Sequence, residues 1–436
     1  MHVVHGRIGL MSTPLQKRAN DLFVSYGHAD QAIVNPVVDW LRNSAGLKLW
    51  YDASSGSAAQ RTTDLLSRGI ESARGALFFI SPNWGSSTWC RDEHEVALTE
   101  RRANDEFIII AAQVAKVEIP AWFQTSQVLD LQEFHIFSAA ALLRSLTPNP
   151  PLRLDNDQDV YYAGPWSNPS VHVNKVLRIM REMGWRFVGD SQDHPKFVDS
   201  VQRIAAIVQS SRGLVAILPF RPANEPYRTS PWVLDEVRIA EGVNRPYVLL
   251  AEQGVAVPPD LAAGAFGGRA LPLADDLDEQ IHGALQAFDE TLSHIPHSNA
   301  GAYSFFAASL LGDAKETDAL VSVVERATNM PCVQGKDLTG QHAQEAIVEQ
   351  IRGAAFVIAD VTDDNRNALI ESGIARGAGV PLHLTCRLPE DGNRKTRFML
   401  QDMEVNWYSN SLDRIGAMYR IARKYRRRIF TPRIVS

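Results

Sequence analysis

The sequence predicts an α/β protein built of three tandem units, each a parallel sheet wrapped by helices, and three observations carry that reading. Three segments repeat one order of elements, β-α-β-α-β-α-β, and internal repetition constrains a fold more strongly than any single propensity. Their strands are near-continuous apolar runs, the pattern of strands buried on both faces. The length, 436 residues, accommodates two or three domains at ~150 residues each.

The first unit runs from strand DLFVSY (21–26) through an amphipathic helix near 35–43, strand LKLWYD (47–52) and a helix near 62–73. Strand ALFFIS (76–81), a helix from about Cys90 and strand FIIIAA (107–112) complete it. The second unit uses VYYAGPW (160–166), WRFVGD (185–190), GLVAILPF (213–220) and PYVLLAE (246–252). The third uses AYSFFAAS (302–309), MPCVQG (330–335), AAFVIADV (354–361) and PLHLTC (381–386). This is a flavodoxin- or Rossmann-like plan, whose ligands bind at the carboxyl ends of the strands. Pro- and polar-rich linkers at 147–158 and 293–301 set the boundaries. The expected domains are a tail over 1–17, then 18–146, 156–292 and 300–430.

Composition narrows the function. Hydrophobic residues make up 45% and charged residues 22% of the chain, as in ordinary globular protein. The net charge of −6 gives no overall attraction for nucleic acid or an anionic membrane, so neither direct DNA binding nor membrane attachment is expected. Three scattered cysteines, Cys90, Cys332 and Cys386, form no C-x-x-C pair, which fits a reducing, cytoplasmic setting and suggests neither a zinc site nor a disulfide framework. No apolar run approaches the ~20 residues of a membrane span. The segment MHVVHGRIGL lacks a signal-peptide core, and Met11 reads as a start.

One carboxylate recurs in the three units. After its third strand the first has W-x-x-D-E from Trp89 to Glu93, and the second repeats it from Trp232 to Glu236. In the third, DVTDDNRNALIESGIA puts Asn367 in the tryptophan position and Glu371 in that of the glutamate.

DLFVSYGHAD, then LWYD with the Ser/Gly loop 53–60, then FFISPNWGSSTWCRDE resembles a TIR domain, with three motifs in order over 18–146. The resemblance implies an NAD+ glycohydrolase in which Glu93 is the catalytic glutamate of W-C-x-x-E. Glu95, two residues on and ~200° around the helix, should face elsewhere. The chemistry wants an anion there, because loss of nicotinamide leaves an oxocarbenium-like ribose. No cofactor or metal is needed, NAD+ being the substrate. Tyr26, His28, Asp52 and Trp89 are expected to line the substrate site, the 53–60 loop corresponding to the BB loop of TIR domains.

The second unit is also TIR-like in spacing, and its YYAGPW resembles the opening strand of nucleoside deoxyribosyltransferase-like proteins. The third resembles that group through VIADVTDDNRNALIESGIARGAGVPLHL, which would make Glu371 a nucleophile in an active member; a binding fold is the favoured reading. TIR enzymes fused to nucleotide-sensing modules, such as the paired CARF-like halves of SAVED sensors, resemble this arrangement. The expected whole is a bacterial antiviral effector, activated by a cyclic nucleotide or oligonucleotide bound near Gly164, Asp360, Asp363, Asn367 and Glu371. It would assemble through its TIR domains into a homo-oligomeric ring or filament. The rival readings are a non-catalytic TIR scaffold and a nucleoside N-glycosidase centred on Glu371. A basic run holding Arg420, Arg423, Lys424, Arg426, Arg427 and Arg428 reads as a solvated helix face or a phosphate- or subunit-contacting surface.

Overall fold

The computed structural model describes residues 18–51, 63–104, 106–120, 123, 127–147, 158–165, 170–190, 200–274, 278–295, 299–307, 313–335, 343–390, 392, 394, 400 and 402–430. The chain divides into two compact units, one of residues 1–149 with 410–420 and the other of 150–409 with 421–436.

The first unit holds a parallel five-stranded sheet of β1 (Leu22–Tyr26), β2 (Leu49–Trp50), β3 (Gly75–Ile80), β4 (Ile108–Gln113) and β5 (Gln127–Asp130), in the order β2-β1-β3-β4-β5. Strand β3 is buried at all six residues, as a central strand covered on both faces must be. Its helices are α1 (Gln31–Asn43), α2 (Thr63–Glu71), α3 (Pro82–Ser86), α4 (Thr88–Ala103) and α5 (Ile136–Ser145). Helix α1 buries Val34, Val37, Val38, Trp40 and Leu41, the spacing of one helical face. Helix α4 is unusual, because its buried stripe of Cys90, Glu93, His94, Ala97 and Glu100 contains two carboxyl groups and an imidazole. Glu100 is neutralised by an ion pair with the buried guanidinium of Arg18, as a buried charge requires.

The second unit holds two sheets. One contains β6 (Asp159–Ala163), β7 (Arg186–Asp190), β8 (Leu214–Leu218), β9 (Tyr247–Glu252) and β10 (Leu271–Leu273), all parallel. The other contains β11 (Ser304–Ala307), β12 (Cys332–Gln334), β13 (Val357–Asp360), β14 (Leu382–Arg387) and β15 (Val405–Tyr408), in the order β12-β11-β13-β14-β15. All three sheets thus share one strand order, and the α/β plan of repeated units read from the sequence is the observed one. Helices α6 (Val171–Glu182), α7 (Ser200–Gln209), α8 (Pro231–Gly242), α9 (Pro259–Gly264) and α10 (Asp278–Ser293) accompany the first of these sheets in sequence. Helices α11 (Ala314–Thr328), α12 (Ala343–Gly353) and α13 (Arg366–Gly377) accompany the other, and α14 (Ser411–Ala422) follows it.

The end of the chain departs from the expected 300–430 module. A sixth strand, β16 (Arg427–Phe430), pairs antiparallel with β7 and makes the order β10-β9-β8-β6-β7-β16. It covers an edge whose backbone groups would otherwise lie open. Within the first unit, Trp40 Nε1 donates to the Leu412 carbonyl at 2.8 Å and Ser44 Oγ to Asp413 at 2.8 Å. The basic run is also not one solvated face. Arg427 is 5% exposed, donating to Ser210 Oγ at 2.5 Å and to the Gly301 carbonyl, and burial lowers its pKa to about 10. Each sheet ends in a short edge strand, β5, β10 or β15, that the apolar pattern did not reveal.

Candidate functional site

In this strand order the chain reverses direction between the first and third strands, and the crevice at that switch point is where such sheets bind ligands. In the first unit α4 brings Glu93 to β1. Ser87 starts the helix by accepting from the Cys90 backbone N–H at 3.3 Å. One turn later Glu93, a residue 8% exposed, accepts from Ser25 Oγ at 2.5 Å through its carboxylate. Ser25 Oγ in turn accepts from the indole Nε1 of Trp84 at 3.0 Å. Trp84 is fixed by aromatic packing, edge-on to Phe78 at 6.0 Å and tilted to Phe123 at 5.4 Å.

A second polar knot ties the β1 and β3 loops together. The buried Asp30 carboxylate accepts from Ser81 Oγ and, at 2.6 Å, from Asn83 Nδ2. Ser81 Oγ also accepts from the Trp84 backbone N–H at 3.0 Å, starting α3. Gly27 is demanded by this closeness, since a Cβ there would lie 2.7 Å from Asp30 Oδ2 and 2.8 Å from the Trp84 nitrogen.

Of the other residues expected here, Tyr26 ends β1 and stacks on Tyr51 at 5.1 Å. Arg42 lies 5.0 Å over the Tyr51 ring, and burial raises the Tyr51 phenol above its ordinary range. His28 is exposed in a 3-10 turn over His28–Asp30. Trp89 is partly buried against the aromatic core. Asp52 and the 53–60 loop lie outside the described residues. Glu95 is exposed, while Glu93 and His94 are buried. His94, which no sequence motif marks, sits 4.3 Å from the Phe123 ring; burial lowers its pKa to about 4. Its Nε2 has no hydrogen-bond partner among the described residues.

The corresponding glutamates of the second unit have different surroundings. Glu236 on α8 accepts from the Tyr161 phenol at 2.8 Å, and burial pushes its pKa up to about 8. Glu371 on α13 is buried with no side-chain hydrogen bond among the described residues, and burial pushes it up to about 7. Gly335, after β12, makes room for it: a Cβ there would lie 2.8 Å from Glu371 Oε1. Gly164 follows β6 closely packed on Tyr162, whose phenol would be 2.9 Å from a Cβ. Asp360 is buried, accepting from the Tyr408 phenol at 2.9 Å and the Thr362 N–H at 3.1 Å. Asp363 is exposed and paired with Arg387 at 2.7 Å, and Asn367 is exposed in the first turn of α13. Asp360, Asp363, Asn367 and Glu371 therefore sit near the carboxyl end of β13 without sharing a hydrogen bond. Among the described residues no group of three His, Cys, Asp or Glu side chains could hold a metal ion, and no helix is long and apolar enough to cross a membrane.

A doubly wound sheet with a carboxylate at its switch point defines the class. Residues 22–146 match the family model described as TIR domain, and the first unit is a TIR domain. The crystal structure of the TIR domain of the Toll-related receptor TRR-2 from Hydra magnipapillata is similar over 29% of this chain and 98% of its own, at 17% identity and a TM-score of 0.25. No curated protein matches the chain.

Proposed function

We propose that the TIR domain cleaves NAD+ at the nicotinamide–ribose bond, with Glu93 as the carboxylate that stabilises the developing ribosyl cation. One observation carries the reading: Glu93 lies at the switch point, where its carboxylate accepts a hydrogen bond from the buried hydroxyl of Ser25. A fixed anion in a low-dielectric crevice stabilises positive charge more strongly than one in water. Nicotinamide departs as a neutral group from a cationic nitrogen, so the step requires no general acid, and water then captures the ribosyl cation.

Glu93 as a residue is only 8% exposed, a burial that supports an enzyme latent until triggered. The proposed trigger is a cyclic nucleotide or oligonucleotide bound at the carboxyl ends of the strands of the second unit. Assembly through TIR domains would then open or complete the site, so that NAD+ is depleted in the cytoplasm during antiviral defence. The test is NAD+ consumption by the purified full chain in the presence of a panel of cyclic nucleotides, beside Glu93→Gln. Hydrolysis that survives Glu93→Gln ends the assignment of Glu93, and none with any nucleotide ends the enzyme reading in favour of a TIR scaffold.

Glu371, buried without a side-chain hydrogen bond among the described residues and raised in pKa by that burial, favours a second reading, a nucleoside N-glycosidase. Free base released from nucleosides, retained in Glu93→Gln and lost in Glu371→Gln, is its signature.

A further inference from the structure

We propose that Ser25, backed by Trp84, is the positioning residue of this site and fixes the Glu93 carboxylate in the orientation that meets the substrate ribose. The inference rests on the reading of Glu93 as the NAD+-cleaving carboxylate. Its basis is the polarity of the hydrogen bonds. An indole N–H donates and cannot accept, so Trp84 fills a lone pair of Ser25 Oγ from 3.0 Å. A serine hydroxyl has one proton, and the carboxylate oxygen 2.5 Å away receives it. The relay therefore runs from Trp84 through Ser25 to Glu93.

Burial makes this relay firm. Trp84 is 0% and Ser25 1% exposed, so water does not compete for either bond, and hydrogen bonds at low dielectric are electrostatically stronger than in water. Trp84 has no freedom to turn away, being packed between Phe78 and Phe123.

The other two sheets show that the fold itself does not call for the relay. Residues two apart on a strand share a face, and Ser25 lies two beyond Phe23, a core residue facing α4. Two beyond Tyr161, which reaches Glu236, stands Ala163, and two beyond Phe305, which lies beside Gly335 near Glu371, stands Ala307. Both alanines are 0% exposed. A strand in this place is satisfied by a small apolar residue, and only the TIR domain spends the position on a hydroxyl aimed at its glutamate.

The test uses the full chain with NAD+ as substrate and the variants Ser25→Ala, Ser25→Thr and Trp84→Phe. Ser25→Ala should lower kcat by about 10- to 100-fold with KM changed by no more than about threefold. Ser25→Thr, which keeps the hydroxyl, should restore most of the rate, and Trp84→Phe should lose less than Ser25→Ala. Removing a donor to the charged form raises a carboxyl pKa, so the acidic limb of the kcat profile should move to higher pH in Ser25→Ala. The same upward shift should appear in the Glu93 carboxyl resonance of glutamate-labelled protein, assigned by its loss in Glu93→Gln. A folded Ser25→Ala with wild-type kcat and an unmoved carboxyl midpoint overturns the proposal. If the chain cleaves no NAD+, the enzyme reading fails separately and the resonance alone decides: an upward shift supports the relay and an unmoved midpoint overturns it.

Discussion

The phenol of Tyr161 donates to Glu236 Oε1 at 2.8 Å, putting an aromatic hydroxyl beside the glutamate that stands where the TIR domain has Glu93. Burial raises Glu236 from its ordinary 4.5 to about 8, so the folded protein holds this proton more tightly than the unfolded chain. Its contribution to stability is fully present below pH 4.5 and is lost as pH rises through 8. Glu236→Gln mimics the protonated form and should remove that slope. Denaturation midpoints of the second unit's transition at pH 5 and pH 8.5 check it: wild type should lose more than the variant on going to pH 8.5.

His94 works in the opposite direction. Its folded pKa of about 4 lies below the ordinary 6.5, so its stabilising effect is fully present above pH 6.5 and is lost as pH falls toward 4. The TIR domain should melt at lower temperature at pH 4.5 than at pH 7.5, and His94→Phe should flatten that difference. An equal pH dependence in the variant would show that other groups govern acid sensitivity.

Glu93→Gln should reduce NAD+ hydrolysis by about 10²- to 10³-fold, while the exposed Glu95→Ala stays within a few-fold of wild type. Steady-state rates with the trigger supplied measure both.

Gly27→Ala should destabilise the TIR domain by about 1–3 kcal/mol, because the new methyl meets Asp30 Oδ2 and the Trp84 backbone and neither is a flexible side-chain end free to swing aside. Chemical denaturation of the full chain, followed by tryptophan fluorescence, reads this directly.

If TIR domains complete one another's sites head to tail, activity should rise more steeply than linearly with protein concentration. Mixing Glu93→Ala protomers with protomers mutated in the 53–60 loop should then restore some hydrolysis. Full activity in a nanomolar monomer would exclude shared sites.

The strands buried on both faces, such as ALFFIS and GLVAILPF, were legible because continuous apolar runs have few other uses. The edge strands β5, β10 and β15 were not, being three or four residues long and so carrying too little pattern to register. The position of Glu93 on its helix followed from the W-C-x-x-E motif, whereas its partners did not, since Ser25 and Trp84 meet it only through the crossing of β1, α3 and α4. One signal was available: a serine interrupting the apolar run of DLFVSY has to satisfy its hydroxyl somewhere. Arg427 escaped for a similar reason, because a run of like charges gives no hint that one member is buried.

The pairing of Asp190 with Arg427 also orders events during synthesis. The ribosome completes β7 long before β16 exists, and all of β11 to β15 is made in between. Until then the β7 edge is an open template, available to any extended segment of a nascent neighbour. The middle sheet is thus the last of the three to acquire its full set of strands, and its maturation reports that the chain has been made through Phe430.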